Sequence, residues 1–294
     1  MARLNALPLA IMTLRARTHT RTNTPSQPLL GTDEPTLSEA DGVRYLHFGT
    51  EWIQGAMRVR RPDELVLTYT QQMMAWLLFA DPPAEGDGAI GLLGLGAGSL
   101  ARFCLRHSDS AIEVVEWNPQ VTRVCQHFFR LPPNERLTIS HDDAARWVAE
   151  PHHAGRCPVL MVDLYDAQAS GPVRDSTEFY RHCRRVLGGV SLGGVSDRAL
   201  GSPRVLSVNL FGRHESFPRN IANLTEALDG RLLTLPDIDE GNRIVLAFSG
   251  PVLSVTCEQL WARAEAVQAR YGLPAKRWAK ALWGQVDKPG ALVV

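Results

Sequence analysis

Gly94-Leu95-Gly96-Ala97-Gly98 closes a continuous apolar run, AIGLLGLG from Ala89, and stands directly before SLARFCLRH. Glycines at a strand-to-helix turn permit a tight bend and let a ligand approach the backbone. Glu116, about 20 residues after Gly96, ends a second apolar run, IEVVEW. A carboxylate there can accept two hydrogen bonds from ribose hydroxyls. Asp143 and Ala144 follow a third run, RLTIS, where a carboxylate can accept from an adenine amino group; Asp142 is the neighbouring candidate. A fourth run, PVLMVDL, leads into Asp163-Leu164-Tyr165-Asp166. All of these positions fall at carboxyl ends of expected strands, where open α/β sheets bind ligands. The competing reading of Asp163 is a cap on the following turn, a place Asp favours. A dinucleotide fingerprint would need a small residue at position 99. Ser99 is a near miss, so a nicotinamide cofactor stays an alternative.

The elements that would hold these residues alternate. Strands are expected at 89–94, 112–117, 136–140, 158–164 and 205–211, and the helices between them at 98–107, 119–129, 143–150 and 176–187. A helix at 217–228 and strands in RLLTLP and NRIVLAFSG follow. Buried strands alternating with helices predict an α/β fold, a Rossmann-like, doubly wound, mostly parallel sheet, and its glycine motif resembles the one shared by class I methyltransferases. Ahead of it, residues 43–48, 51–59 and 64–68 read as a small antiparallel β unit. A helix over 69–79, stopped by Asp81-Pro82-Pro83, leads into the sheet. The C-terminal residues 255–283 read as two helices broken at Gly272-Leu273-Pro274, with Trp261, Trp278 and Trp283 packing them onto the sheet. The expected organisation is a disordered tail over 1–36, the β unit over 37–70, the cofactor-binding catalytic domain over 71–254 and a helical extension over 255–294. GGVSLGGVSDRALGSP (188–203) is too long for a connection inside such a domain, and is expected to be an insertion, either a mobile flap or a segment without a role.

Composition narrows the function classes. Lys plus Arg and Asp plus Glu both number 31, so the formal net charge is zero. A neutral chain has no general attraction for a polyanion, and no nucleic-acid partner is expected. No run reaches the ~18 apolar residues of a membrane span, and the N-terminal apolar stretch has no clear small-residue cleavage site and is followed by Arg15, Arg17 and Arg21, unlike a signal peptide. Five cysteines without a CxxC, and His152-His153 without a partner at ligand spacing, predict neither a disulfide framework nor a metal site. A cytoplasmic protein with reduced thiols is the expectation.

GLLGLGAGSL, VVEWNPQV, the Asp142–Ala144 turn and VDLYDAQASGP followed by EFYRHCRRVL resemble the spermidine synthase family, the polyamine aminopropyltransferases. IQGAMRV and ELVLTYTQQM resemble that family's N-terminal β unit and entry segment, so the resemblance spans roughly residues 43–250. It implies a homodimeric transferase that moves an aminopropyl group from decarboxylated S-adenosylmethionine to a small amine. By resemblance, Gly94, Gly96 and Gly98 line the cofactor loop, Glu116 holds the ribose and Asp143 the adenine, and Gln54 sits beside the thioether. Asp163 is the catalytic carboxylate, and Asp166, with Tyr165 and Gln72, binds the amine. An attacking amine must lose a proton, which suits a carboxylate base, and an acidic pocket concentrates cationic substrates.

One stretch departs from the family. Where the family carries an Asp-Glu pair and a Tyr-His/Gln-Glu triplet, this chain has only Thr68-Tyr69-Thr70-Gln71-Gln72. A neutral Gln cannot pair with an ammonium as a carboxylate does, so weak binding of a short diamine is expected. The alternatives are a methyltransferase using intact S-adenosylmethionine and a non-catalytic nucleoside-binding relative. The absence of Lys and Arg from the glycine loop favours the decarboxylated cofactor, which lacks the carboxylate that a cation would hold.

Overall fold

The computed structural model describes residues 34–49, 52–165, 174–188, 203–238, 241–285 and 290–294. Its centre is a seven-stranded sheet. In chain order the strands are β4 (Ala89–Leu93), β5 (Ala111–Val115), β6 (Leu137–Ser140), β7 (Val159–Val162), β8 (Arg204–Phe211), β9 (Leu232–Thr234) and β10 (Asn242–Ser249). In space the order is β6-β5-β4-β7-β8-β10-β9. The five strands from β6 to β8 run parallel, and β10 pairs antiparallel with both β8 and β9. The order reverses between β4 and β7, which opens a crevice at their carboxyl ends.

Both faces of the sheet are covered, which is why its strands read as unbroken apolar runs. Side chains alternate along each strand. Ile90 and Leu92 point to one face, packed under α2 (Ser99–His107) and the C-terminal helices α7 (Cys257–Tyr271) and α8 (Ala275–Trp283). Ala89 and Leu93 point to the other, under α4 (Ala144–Ala149), α5 (Thr177–Leu187) and α6 (Phe217–Ala227). α3 (Pro119–Phe128) begins with Pro at its first turn and Asn118 capping Gln120 N.

A three-stranded antiparallel sheet precedes this domain: β1 (Pro35–Ala40), β2 (Val43–Phe48) and β3 (Gly55–Arg58). Its own core is small, Leu46 and Met57 packed with Ala97 and Phe129 of the larger domain. It is joined there directly. Ser99 Oγ donates to Ala56 O at 2.9 Å, and the buried Arg102 donates from Nε to Pro62 O at 2.7 Å and from Nη1 to Ala97 O. A Cβ on Gly55 would collide with Ala97, so β3 lies against the glycine loop itself.

Four details differ from the sequence reading. Pro35 and Thr36, placed in the tail, begin β1, which pairs with β2 in the register Leu37↔Leu46. Residues 64–68 form no strand. They have no partner strand, and the Leu65 and Leu67 carbonyls instead accept from Gln71 Nε2 and Thr70 Oγ1 as the chain enters α1 (Thr68–Met73). The helix read over 69–79 is α-helical only to Met73 and tightens to a 3₁₀ turn over Met74–Leu78. Trp278 is buried, whereas Trp261 is 36% exposed on α7 and does not serve the core. A further two-stranded pairing, β11 (Ser254–Thr256) with β12 (Ala291–Val293), ties the chain end to the start of α7. The expected insertion lies outside the described residues except for Gly188 and Pro203, and so does the expected tail up to residue 33.

Candidate active site

Two cavities share one wall at the carboxyl ends of β4, β5, β6 and β7. The first, about 590 Å³, is lined by Gly94, Glu116, Trp117, Asp142, Asp143, Ala144, Arg146 and Arg174, among others. The second, about 360 Å³, is lined by Phe48, Trp52, Ile53, Gln54, Tyr69, Gly96, Asp163, Asn209, Phe211 and Asn242. Gly94, Glu116, Trp117, Leu164 and Tyr165 border both, so they are halves of one cleft.

Glu116 sits on that shared wall, 6% exposed. Its Oε2 accepts from Leu95 N at 3.0 Å and its Oε1 from Asn118 N at 2.8 Å. Burial pushes its carboxyl up, and the backbone donors oppose that shift. A carboxylate has about four lone-pair sites. Each oxygen therefore keeps capacity to accept from a vicinal diol while the other bonds fix its position. The bond to Leu95 also pins the glycine loop. Gly94 (φ 95°) could carry no side chain, since a Cβ would strike Asp163 O, and Gly96 (φ 51°) has the Gln54 carbonyl 3.3 Å from where its Cβ would lie. The loop is thus pressed between β7's end on one side and the β unit on the other.

Asp143 caps α4, its Oδ1 accepting from Ala145 N at 2.8 Å and Arg146 N at 3.2 Å. Its Oδ2 pairs with Arg174, and that guanidinium chiefly holds the carboxyl below its ordinary range. Asp142 is engaged by its own partner, Arg146 Nε at 2.5 Å, and by Asp143 N at 2.6 Å.

Asp163 follows β7, anchored by its own N to Leu93 O at 2.9 Å. Asn209 Nδ2 donates to its Oδ1 at 2.8 Å, and Asn242 Nδ2 donates to Asn209 Oδ1 at 3.0 Å. The Tyr69 hydroxyl also bonds the carboxylate. Desolvation raises Asp163 above its ordinary value, and the two donors pull it back. Burial and the Asp163 charge together push the Tyr69 phenol far up, so it stays a donor. The result is a desolvated carboxylate with one edge on the cleft, oriented from two sides.

No family model matches the chain. It is 31% identical over 249 residues to the polyamine aminopropyltransferase of Neisseria meningitidis, across 84% of this chain and 88% of that protein. With that of Chromobacterium violaceum it shares 32% over 243 residues, 82% of this chain and 85% of the other. The chain belongs to the polyamine aminopropyltransferase family. In fold it is similar to a probable spermidine synthase from Corynebacterium glutamicum (TM-score 0.58, 17% identity, 92% of this chain and 99% of that one). It is also similar to human methyltransferase-like protein 13 (TM-score 0.57, 20% identity, 70% and 93%), solved with SAH.

Of the residues singled out in this transferase's sequence, Gln54, Gly94, Gly96, Glu116, Asp143, Ala144, Asp163 and Tyr165 meet in the cleft. Tyr165 donates to Asn209 O at 3.0 Å and stands edge-on to Phe211. Gly98 lines neither half. It is the left-handed cap of α2 (φ 70°), backed by Arg102, Cys125 and Leu131. Gln72 is not brought to the cleft either. It is buried, with Nε2 3.4 Å from Pro236 O. Asp166 lies outside the described residues.

Sequence reasoning missed Tyr69, Asn209, Asn242, Trp52 and Trp117. Asn209 carried a signal: a lone amide inside the apolar strand VLSVNLF must find a buried partner. Tyr69 stood in the segment whose shortening drew attention to its glutamines. Among the described residues no group of three or more His, Cys, Asp or Glu could hold a metal, and no helix is long and apolar enough to cross a membrane.

Proposed function

We propose that this transferase moves the aminopropyl group of decarboxylated S-adenosylmethionine to a small amine, with Asp163 as the general base. The observation that carries the reading is the placement of Asp163: a desolvated, doubly oriented carboxylate in the cavity contiguous with the nucleoside half. In the proposed arrangement Glu116 holds the ribose hydroxyls, Asp143 and Ala144 meet the adenine, and the sulfonium end passes Gly94 and Gln54 into the second half.

The sulfonium supplies an electrophilic carbon and a neutral leaving group. The amine nitrogen forms a bond to that carbon, the carbon–sulfur bond breaks with its electron pair going to sulfur, and methylthioadenosine departs. The amine's proton goes to Asp163. A carboxyl raised above its ordinary range is a better base than a solvated one, since its affinity for a proton is closer to the working pH. Asn209 and Tyr69 hold it still, and Trp52, Ile53 and Phe211 line the cavity beside it. Asp166 is proposed to hold the cationic end of the acceptor, and Tyr165 to shape its path. We further propose a cytoplasmic homodimer, in line with the family resemblance, which a mass measurement in solution at micromolar concentration checks.

The deciding assay is methylthioadenosine release with the decarboxylated cofactor and a panel of amines. Amine-dependent release is the expected result. Release from intact S-adenosylmethionine of the demethylated thioether instead would make the chain a methyltransferase, and tight nucleoside binding with no turnover would make it a binding protein.

A further inference from the structure

The wall that carries Trp52, Ile53 and Gln54 does not belong to a regular element. β2 ends at Phe48 and β3 begins at Gly55, and Trp52, Ile53 and Gln54, just before β3, line the second cavity. Gln54 N rejoins the ladder by donating to Leu46 O at 2.8 Å. Trp52 is 60% and Ile53 48% exposed, so burial of their own side chains does little to hold this segment.

A buried pair on the strands beneath does hold it. His47 of β2 is 8% exposed and Ser38 of β1 7%. Ser38 Oγ lies 2.8 Å from His47 Nε2, and His47 Nδ1 lies 3.0 Å from Trp52 O. A carbonyl oxygen only accepts, so Nδ1 must carry a proton. In the neutral ring Nε2 then accepts, and the Ser38 hydroxyl donates to it. The carbonyl thus fixes the tautomer, and the hydroxyl, which can donate or accept, turns to match it and holds the far side of the ring. Neither side chain touches either half of the cleft.

We infer that His47, with its ring held by Ser38, is a positioning residue: through the Trp52 carbonyl it sets the wall against which the thioether end of the nucleoside and the acceptor amine are held. The inference rests on the proposed function in one respect, that the thioether end points into the second half of the cleft. It then has a specific signature. The wall borders the second half and takes no part in the nucleoside half, so His47 governs binding of ligands that extend past the ribose and leaves adenosine alone.

Two substitutions separate the ring nitrogens. The Asn amide nitrogen, like Nδ1, is bonded to Cγ, so His47→Asn keeps a donor for Trp52 O and gives up Ser38. His47→Gln reaches the Ser38 side and gives up the Trp52 carbonyl. Calorimetry with adenosine and methylthioadenosine is the test. His47→Gln should weaken methylthioadenosine about fivefold or more, the scale of one lost buried hydrogen bond, and leave adenosine within about twofold. His47→Asn should leave both ligands near the parent values. Ser38→Ala, a smaller disturbance that removes the bond holding the ring in place, should move methylthioadenosine in the same direction as His47→Gln, and it carries the test if His47→Gln does not fold. Equal weakening of both ligands would reduce His47 to a general stabiliser, and no change in either would remove it from the site. Absence of amine turnover in the parent would overturn the proposed reaction, yet leave this contrast between two ligands to be read on its own.

Discussion

The two halves of the cleft are built on different plans. The half proposed to hold the nucleoside is made from consecutive strand ends of one parallel sheet: the loop after β4, Glu116 after β5 and Asp143 after β6. Its polar atoms are tied to backbone N–H groups, as Glu116 is to Leu95 and Asn118. The acceptor half is assembled from pieces far apart in the chain. The β unit gives Phe48, Trp52, Ile53 and Gln54, α1 gives Tyr69, and β8 and β10 give Asn209 and Asn242. Its polar atoms are tied to other side chains, in the series Asn242, Asn209, Asp163. The first plan fixes a ligand common to a fold, and the second can change residue by residue without disturbing the sheet. Substitutions in the two halves should therefore separate binding of the nucleoside from chemistry.

The largest separation is expected at Asp163. Asp163→Asn should lower turnover by about 100-fold or more, the scale of a lost general base, with adenosine affinity unchanged because its contacts lie in the other half. The same variant should melt at a higher temperature. The folded protein raises the Asp163 carboxyl by burial, so the fold favours its protonated form. That contribution is complete below the ordinary carboxylate range and is lost as pH rises through the raised value, so at pH 7 the ionised group costs stability. A neutral amide escapes that cost, and gain of stability with loss of activity marks a site under functional constraint. A lower melting temperature in Asp163→Asn would show that the ionised carboxylate holds its neighbours together.

The reverse result is expected across the wall. Glu116→Ala should weaken nucleoside binding by about 1–3 kcal/mol, the range for losing a charged hydrogen-bond partner. It also leaves Leu95 N and Asn118 N without their acceptor, so the glycine loop loosens, and calorimetry with adenosine should show the loss in full. Equal adenosine affinity in parent and variant would move the ribose elsewhere.

The contrast in construction explains what could be read without coordinates. Apolar runs ending in Gly or a carboxylate disclose both a strand and its ligand-facing end, so β4, β5, β6 and β7 and the residues that follow them were legible together. The acceptor half depends on which distant segments the fold brings to one place. Gln72 and Tyr69 are same-face neighbours one turn apart in α1, and only the segments packed around that turn decide that the tyrosine reaches Asp163 while the glutamine is buried toward Pro236. β1 escaped notice because Leu37 is its one large apolar residue and the buried residue on its other face is the small Ser38, too little alternation to mark a strand. Asn209 was hidden for the opposite reason, lying within a strand so apolar that its single amide did not alter the pattern.

The next contrast lies within the series that orients the base. Asn209→Ala removes the donor to Asp163 Oδ1 and leaves desolvation less opposed. The acid limb of the turnover profile should move to higher pH, since the carboxylate form is then harder to reach. Adenosine affinity should not follow. An acid limb at the parent's position would show that Tyr69 alone sets the base.

The smallest effect is expected at Arg174. Its pairing with Asp143 occupies the oxygen, Oδ2, that the cap of α4 leaves available, so an adenine amino group must share or displace the guanidinium. Both side chains are partly exposed, at 40% and 44%, and such a pair contributes only about 0–1 kcal/mol. Arg174→Gln should therefore change adenosine affinity at pH 7 by no more than about fivefold. Its pH dependence should change more clearly. Arg174 is the chief reason the Asp143 carboxyl lies below its ordinary range. The bond from adenine needs the ionised form, so in the parent it persists as pH falls through that range and fails only beneath it. In Arg174→Gln the carboxyl returns toward its ordinary value, and affinity should begin to fall at a higher pH than in the parent. Calorimetry with adenosine across the acid range reads this directly. If the two pH profiles coincide, Asp143 does not hold the adenine, and Asp142, bound by Arg146 on the same strand end, takes over as the candidate.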